Sequence, residues 1–305
     1  MAVPFLKWAG GKRQLLPQIR RCVPARFGAY AEPFLGSGAV FFDLVRQGRL
    51  PGVPVRLSDT NADLIGTYEA LRDDVEAVIT RLMHLARGHA RDAARHYYEV
   101  RDVQFNRIRA GAAGGAALSS HTRVDLAAAF IYLNRTCYNG LYRTNALGAF
   151  NTPMGRYVRP RICDPDNLRA VGQVLQHPRI TLTTTDYREV GTWLPADGFV
   201  YFDPPYAPLS RTAHFRAYTA AGFSDDEQRR LRDLALGLAA RQVHVLLSNS
   251  VSPLARALYE SADVRRSGLR ACRVPARRAI STRVTGRVGV KELLVTTVPR
   301  RHPLT

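Results

Sequence analysis

The sequence of 305 residues predicts an α/β fold with a mostly parallel sheet. Short runs of β-branched and aromatic residues, such as 198–202, alternate with longer stretches that show the apolar spacing of helices. Two of these runs end in turns that contain glycines or a carboxylate, at 35–38 and 58–61. Residues from about 63 to 133 have a helical pattern. This order of elements is typical of a parallel sheet that is interrupted by a helical insert.

The composition limits the classes of function. Hydrophobic residues make up 46% of the chain, which is enough for a globular core. The 44 lysines and arginines against 25 acidic residues give a net charge of +19, which favours a polyanionic partner, nucleic acid before an anionic membrane. Four scattered cysteines predict neither disulfides nor structural zinc. With no signal peptide and no stretch of membrane-spanning length, we expect a cytoplasmic protein with no membrane partner. We also expect a monomer that binds no metal.

The first third of the chain has the layout of a nucleotide-binding βαβ unit. A strand over 30–34 is followed by a tight turn, a helix over 39–46 and a second strand over 53–57. Asp59 follows this second strand, where a carboxylate can bind both hydroxyls of a ribose. The unit therefore predicts a ligand that carries adenosine.

The glycines of the turn narrow the choice of ligand. Gly36 and Gly38 match the first two glycines of the dinucleotide fingerprint, but Phe41 occupies the third position. A bulky residue there argues against the close packing of helix on strand that the fingerprint requires. An adenosine ligand without a pyrophosphate is therefore favoured.

The tetrapeptide Asp203-Pro204-Pro205-Tyr206 follows the apolar strand at 198–202. Two prolines cannot continue a sheet, because each lacks an N–H group and holds its predecessor in an extended conformation. Asp203 and the carbonyl of Pro204 could accept hydrogen bonds from the exocyclic amine of a base, and Tyr206 could stack on its ring. Considered alone, the tetrapeptide could equally be a turn.

The segment 133–157 is rich in tyrosines and arginines and has few aliphatic residues. It contains the turn-forming pair Asn139-Gly140. Arginines interleaved with tyrosines can contact phosphates, bind guanine edges and stack on bases. The segment is therefore a candidate nucleic-acid interface, and the alternative is a solvated basic hairpin.

The second half of the chain supplies the remaining strands. Ser224 is a candidate N-cap, with Glu227 three residues later. One apolar run ends in the polar triplet Ser248-Asn249-Ser250. We expect strands over 179–183, 243–247, 264–274 and 292–298, and helices over 225–240 and 254–261.

The C-terminal part is strongly basic. The span 265–301 carries ten arginines and one lysine against the single acidic residue Glu292. The stretch 277–289 joins the two closing strands. This basic region is either a non-specific track for DNA or a solvated basic face.

These motifs together resemble the Dam-type DNA adenine-N6 methyltransferases over nearly the whole chain. Residues 5–12 (Phe5-Leu6-Lys7-Trp8-Ala9-Gly10-Gly11-Lys12) are similar to the N-terminal cofactor motif of that family. Residues 32–38 are similar to its glycine-rich cofactor loop, and residues 203–206 to its catalytic motif. The order of these motifs, with an insert between them, is that of the α group of the D12 class.

The resemblance implies a Rossmann-like methyltransferase fold. Its sheet would have seven mostly parallel strands and one antiparallel strand among them. The catalytic domain would comprise 1–62 and 160–305. An inserted, mainly helical target-recognition domain with a hairpin loop would comprise 63–159.

The resemblance also implies methyl transfer from S-adenosylmethionine to N6 of an adenine that is flipped out of duplex DNA, within GATC. Asp203 would orient the amine and accept a hydrogen bond from it rather than act as a strong base. The implied catalytic residues are Asp203, Pro204, Pro205 and Tyr206. The implied cofactor-binding residues are Trp8, Lys12, Glu32, Phe34, Gly36, Gly38, Asp59, Asp186 and Asp203.

Double-stranded DNA is the implied partner. Arg143 would read bases in the major groove, and Arg156 would contact the backbone. The full set of implied DNA contacts is Lys7, Tyr138, Asn139, Leu141, Arg143, Pro153, Arg156 and Tyr157. Two other classes remain open from the sequence: a non-enzymatic DNA-binding protein with a degenerate Rossmann domain, and an RNA or protein-amine methyltransferase. A solitary, a phage and a restriction-modification role are also open.

Overall fold

The computed structural model describes residues 1–112, 118–208, 223–275 and 291–298. These residues form one sheet of seven strands in the order β3-β2-β1-β4-β5-β7-β6. The strands are β1 (Tyr30–Glu32), β2 (Val55–Asp59), β3 (Ile180–Thr184), β4 (Phe199–Phe202), β5 (His244–Ser250), β6 (Arg270–Pro275) and β7 (Lys291–Thr296).

The pairing of the strands is mostly parallel. β1 pairs in parallel with β2 and β4, and β4 pairs in parallel with β5. β7 runs antiparallel to both of its neighbours, β5 and β6. The predicted seven-stranded sheet with one antiparallel strand is confirmed. The strand order reverses between β1 and β4, and in such sheets ligands bind beyond the carboxyl ends of the strands at this point.

The helices connect the strands. They are α1 (Leu16–Arg20), α2 (Ala39–Arg46), α3 (Ala62–Asp73), α4 (Val75–Arg91), α5 (Ala93–Glu99), α6 (Arg107–Ala112), α7 (Ser120–Thr136), α8 (Pro165–Leu175), α9 (Val190–Trp193), α10 (Asp225–Ala240), α11 (Pro253–Tyr259) and α12 (Ala262–Arg266). A π-helical turn occupies Val100–Asn106, and 3₁₀ turns occupy Lys12–Gln14, Tyr138–Gly140 and Tyr187–Glu189.

The chain folds into two compact units, each made of three segments. The first unit comprises Met1–Gly11, Gly36–Arg49 and Asp59–Thr184. The second comprises Lys12–Leu35, Leu50–Ser58 and Thr185–Thr305. Residues 63–159 fall within the first unit, and the division of the chain into a catalytic domain and an inserted domain stays a prediction.

The first unit is largely helical, and its helices begin at side-chain caps. The side chain of Asn61 accepts a hydrogen bond from the amide of Leu64 at the start of α3, and Asp74 does the same for Ala77 in α4. On α4 the buried residues recur at helical spacing, so one face of the helix packs into the core. These residues are Val78, Ile79, Leu82 and Leu85.

The second unit has its core on the central strands. Val200 and Val245 point to the same side of the sheet and pack with Leu231 and Leu238 of α10. The predicted helix over 225–240 is confirmed, and the Oγ of Ser224 accepts a hydrogen bond from the amide of Glu227, as its N-cap role requires.

One predicted strand is wrong in its first half. The range 264–274 contains the end of α12, then a turn, and only then β6. Ser261 stands at the N-cap position of α12, and Gly268 takes a left-handed conformation with φ of +86° after that helix. Because these two residues delimit a helical turn, the strand begins at Arg270. The basic stretch 277–289 lies outside the described residues.

Candidate functional site

In the second unit, the acidic side chain of Asp203 follows β4, whose four residues are all buried. Lys12 lies in the 3₁₀ turn near the start of the chain, and its Nζ is 2.7 Å from Oδ1 of Asp203. The side chain of Lys12 is 6% exposed and that of Asp203 is 20% exposed. Burial raises the pKa of Asp203, while the ammonium of Lys12 opposes this rise. The segment 203–206 after β4, which we call the corner, therefore holds a carboxylate that is largely removed from water and balanced by the ammonium of Lys12.

The ring of Tyr206 is held beside this ion pair. Its hydroxyl donates a hydrogen bond to Oε2 of Glu292 on β7, at 2.6 Å. The Nζ of Lys12 lies 4.7 Å from the centre of the ring. Burial and the carboxylates of Asp203 and Glu292 keep the pKa of Tyr206 well above its ordinary value. The phenol is thus a neutral donor to Glu292, and the hydrogen bond fixes the far end of the ring.

Side chains from α10 and β5 hold the backbone of the same corner. Gln228 donates from Nε2 to the carbonyl of Pro205 at 2.8 Å, and Asn249 accepts at Oδ1 from the amide of Ala207 at 3.1 Å. The Oγ of Ser250 donates to the carbonyl of Ala207 at 2.6 Å. Sequence reasoning missed the roles of Gln228, which no local signal marked, and of Glu292, which stood out only as the single acidic residue of the span 265–301. Asn249 had a signal, because it belongs to a polar triplet at the end of an apolar strand.

In the first unit, the glycine turn at 36–38 lies against Trp8 and Asp59, and we call these residues the cradle. Gly36 and Gly38 both have left-handed conformations, with φ of +48° and +62°. A Cβ atom on Gly36 would lie 2.7 Å from Cδ1 of Trp8, so only glycine fits there without displacing the indole. Asp59 accepts from the amide of Gly36 at Oδ2 (3.1 Å) and from the amide of Asn61 at Oδ1 (3.0 Å). Burial raises the pKa of Asp59, and these backbone donors partly offset the rise.

The remaining residues predicted to bind the cofactor belong to the second unit. Glu32 is buried, and the hydroxyl of Tyr30 donates to it at 2.7 Å. Phe34 is half-buried and stacks on Tyr187, with ring centres 5.3 Å apart.

Asp186 pairs with Arg188. The two guanidinium contacts are 2.6 and 3.1 Å long, and they lower the pKa of Asp186. This carboxylate is therefore already engaged by a cation of its own unit.

The predicted DNA-contacting segment also lies in the first unit. Asn139 and Gly140 take left-handed conformations, with φ of 55° and 65°, and Tyr138 is half-exposed. Asn134, a buried residue of α7, donates to the carbonyls of Lys7 (2.7 Å) and Gly140 (3.2 Å) and accepts from the amide of Lys7 (2.8 Å). Sequence reasoning missed this role of Asn134, which ties the start of the chain to the Asn-Gly turn.

Lys7 lies against an aromatic ring. Its Nζ is 3.6 Å from the centre of the Tyr157 ring and donates to the carbonyl of Arg135 at 3.3 Å. Burial and the charge of Arg135 lower the pKa of Lys7. The structure therefore brings together Lys7 and Tyr157 of the predicted set.

The other predicted contacts line the same segment. Arg143, Pro153 and Arg156 are exposed, and Leu141 is half-buried. The Nε of Arg143 donates to the side chain of Asn151 at 3.3 Å, which holds the base of the guanidinium while most of the side chain stays accessible.

Tyr142 is a further residue that sequence reasoning missed. Its ring stacks on Trp8, with centres 6.2 Å apart, and its hydroxyl donates to Asp63. Arg109 binds the other oxygen of Asp63 at 2.8 Å. Burial and the charge of Asp63 raise the pKa of Tyr142. These contacts fix the chain directly before Arg143.

Within the ranges that the structure describes, no group of three or more histidine, cysteine, aspartate or glutamate side chains could hold a metal ion. Among the described helices, none is both long enough and apolar enough to cross a bilayer.

Comparison with known proteins extends these observations. Residues 8–271 match the family model for the D12 class N6 adenine-specific DNA methyltransferases. The chain is 38% identical to the type II methyltransferase M.MjaIII of Methanocaldococcus jannaschii over 308 residues, which covers 96% of this chain and 98% of that protein. It is 36% identical to the type II methyltransferase M1.LlaDCHI of Lactococcus lactis over 293 residues (96% and 94%). It is 34% identical to the DNA adenine methylase of Escherichia coli K12 over 290 residues (95% and 93%).

Proposed function

This chain belongs to the D12 class of N6 adenine-specific DNA methyltransferases, and we propose that it methylates adenine flipped out of duplex DNA, with S-adenosylmethionine as the donor. The resemblance inferred from the motifs is confirmed by this family membership. Membership also decides between the classes that the sequence left open, in favour of a DNA methyltransferase. The observation that carries the finer proposal is the largely buried, charge-balanced carboxylate of Asp203 beside the ring of Tyr206.

The corner offers two acceptors to an exocyclic amine. One oxygen of Asp203 contacts Lys12, and among the described residues the structure gives no hydrogen bond to the carbonyl of Pro204. An amine that donates to both acceptors turns its lone pair out of the plane of the base, and it then becomes a better nucleophile. Tyr206, fixed by Glu292, presents a ring on which a flipped base could stack.

Proton balance follows from these roles. S-adenosylmethionine, when bound, supplies a methyl carbon that the sulfonium makes electrophilic. As the N6–carbon bond forms, the bond from the methyl carbon to sulfur would break and its electron pair would return to sulfur. N6 would then carry the positive charge and both of its hydrogens, one more than the neutral product keeps, and the hydrogen bond to Asp203 would stabilise that charge. The proton can leave to water after transfer, so Asp203 needs no raised basicity.

The cradle of the first unit fits the adenosine part of this donor. Backbone amides hold both oxygens of Asp59, those of Gly36 and Asn61 among them, and a carboxylate has about four acceptor sites in all, so Asp59 can also accept from a ribose hydroxyl. The left-handed turn has no Cβ atom at Gly36 or Gly38, which leaves room for a ligand to approach the backbone there, and Trp8 lies against Gly36. The roles of the second-unit residues stay predictions: Lys12, Glu32, Phe34 and Asp186.

We also propose that the target lies within GATC and that Arg143 reads it. The support is the likeness of 133–157 to the recognition segment of Dam-type enzymes, and the exposure of Arg143 beside the anchored Tyr142. Replacing Arg143 with alanine should lower the preference for GATC over one-base variants by about 1–3 kcal/mol. The measurement is the ratio of kcat/KM values on matched duplexes. An unchanged ratio would show that another residue reads the sequence.

Arg156→Ala is the matched comparison for that variant, because Arg156 is also exposed but is predicted to contact the backbone of the DNA. It should weaken binding to all duplexes alike and reduce the slope of log K against log salt by about one unit. If Arg156→Ala instead alters the sequence preference, the two roles have been assigned the wrong way round.

The proposed function is tested in cells that have no adenine methylase of their own. Plasmid DNA from such cells, expressing the protein, is sequenced with detection of modified bases. We expect N6-methyladenine within GATC, and none in cells that express Asp203→Ala at the same level. Methylation at the parental level by folded Asp203→Ala would contradict the mechanism. Methyladenine confined to another sequence would contradict the target while leaving the chemistry in place.

A further inference from the structure

Two buried amides hold the backbone on either side of Tyr206. Gln228 on α10 is 1% exposed and Asn249 on β5 is fully buried. Gln228 donates to the carbonyl of Pro205, and Asn249 accepts from the amide of Ala207. These two groups belong to the peptide units directly before and after Tyr206. The conformation of the residue that carries the ring is therefore fixed by side chains from two other elements.

The hydrogen-bond partners of Gln228 and Asn249 allow only one orientation of each side-chain amide. The amides of Ala207 and Ser250 can only donate, so Asn249 must present its oxygen to them, at 3.1 and 2.8 Å. The NH₂ group of Asn249 then donates to Oε1 of Gln228 at 2.9 Å. Gln228 must in turn present its own NH₂ group to the carbonyl of Pro205, which can only accept. Each amide is satisfied at both ends in this orientation, and reversing either one would oppose two donors or two acceptors.

We propose that Gln228 and Asn249 are positioning residues for methyl transfer. They hold Tyr206, and through the same short loop the carbonyl of Pro204 and the carboxylate of Asp203, in the arrangement that receives the target adenine. This inference rests on the proposed function, since it takes the stacking role of Tyr206 from it. Neither amide needs to touch the substrate, because both act through the backbone of the loop.

Replacing Gln228 with glutamate makes the role visible as a pH dependence. A protonated carboxyl can accept from Asn249 and donate to the carbonyl of Pro205, as the amide does. An ionised carboxylate can only accept, so one of its oxygens would face the carbonyl oxygen of Pro205. Burial raises the pKa of a carboxyl toward neutrality, so the change should fall within the range in which the enzyme can be assayed.

The experiment measures kcat and KM of the full-length protein on a duplex with one target site, from pH 5.5 to 8.5. The kcat of Gln228→Glu relative to the parent should be close to one at pH 5.5. It should fall on the order of ten- to a hundredfold by pH 8.5, because a buried unsatisfied acceptor then displaces the loop. The KM for DNA should change less than kcat.

Gln176→Glu is the matched control. Gln176 is exposed, and it also donates from Nε2 to a backbone carbonyl, that of Arg72, at 3.0 Å. The same chemical change at Gln176 should leave the ratio of the variant's kcat to the parent's kcat near one at every pH. A second variant, Gln228→Met, has no hydrogen-bond donor and no titratable group, so it should lower kcat by the same factor at every pH. Because of this variant, the test does not depend on Gln228→Glu staying folded.

The outcomes separate this inference from the proposed function. A parent protein that transfers no methyl group to duplex DNA contradicts the proposed function and the inference together. An active parent with a flat ratio for Gln228→Glu, or with a parental kcat for Gln228→Met, contradicts the inference alone.

Discussion

Replacing Lys12 with methionine should leave the carboxylate of Asp203 without the ammonium that balances it. The two side chains are 2.7 Å apart and only 6% and 20% exposed, so water can replace the lost cation only in part. Methionine keeps the unbranched shape of the side chain, is one atom shorter, and removes the charge. Burial already raises the pKa of Asp203, and Lys12 is the main influence that opposes it. The variant should therefore raise this pKa further.

The magnitude follows from proton linkage. An aspartate in the unfolded chain has a pKa of about 3.9. If Asp203 takes up a proton instead of remaining an unbalanced charge, keeping it neutral at pH 7 costs at most about 1.4 × (7 − 3.9), or about 4 kcal/mol. A carboxyl whose pKa is raised in the folded state loses stability as pH rises from its unfolded pKa to its folded pKa. The loss for Lys12→Met should therefore be about 2–4 kcal/mol at pH 7. Below the raised pKa of Asp203 in the variant, it should shrink by up to about 1.4 kcal/mol for each unit of pH, towards zero.

Urea unfolding of the parent and of Lys12→Met at pH 5, 6, 7 and 8 measures this difference. The double variant Lys12→Met/Asp203→Asn is the control, because an amide needs no balancing charge. It should recover most of the lost stability at pH 7. A loss that is the same at pH 5 and pH 7, or a double variant no more stable than the single one, would refute the reasoning.

Two other predictions concern the first unit. Gly36→Ala should abolish binding of S-adenosylmethionine in calorimetry, because the added Cβ would meet Trp8. The control is Gly48→Ala, which should bind normally: Gly48 has a similar φ of +63°, and no atom lies within 4 Å of the added Cβ. Equal binding by the two variants would contradict the proposed cradle. Burial raises the pKa of Cys137 to about 11, so about one thiol in a thousand is ionised at pH 8. Mass spectrometry after iodoacetamide treatment should show that Cys272, which is half-buried, is alkylated before Cys137, and equal rates at these two thiols would contradict the burial of Cys137.

The parts of the fold with strong local signals could be predicted from the sequence. The helix over 39–46 follows a glycine turn, and the helix over 225–240 is capped by Ser224. In both helices a residue that marks the N-terminus therefore supports the prediction made from the apolar periodicity. The first half of the predicted strand over 264–274 was wrong because its apolar residues are too few to distinguish a short helix from a strand. Only the stop at Gly268 separates α12 from β6.

The candidate site was predictable only in its motif residues. Asp203 and Tyr206 stand together in the sequence, and their residue types point to the chemistry. Gln228, Asn249 and Glu292 come from three separate elements, and their contacts exist only after the sheet has formed. No periodicity or spacing links such residues, because their pairing depends on tertiary structure rather than on local conformation.

The directed amide pair of Gln228 and Asn249 has a consequence for evolution. Each amide has one donor end and one acceptor end, so a change of one partner alone leaves the other with nothing suitable to face. Substitutions at the two positions should therefore be inherited together, with intermediates that retain only one amide being selected against. Among natural relatives, the helix residue at position 228 and the strand residue at position 249, which are 21 positions apart, should therefore covary.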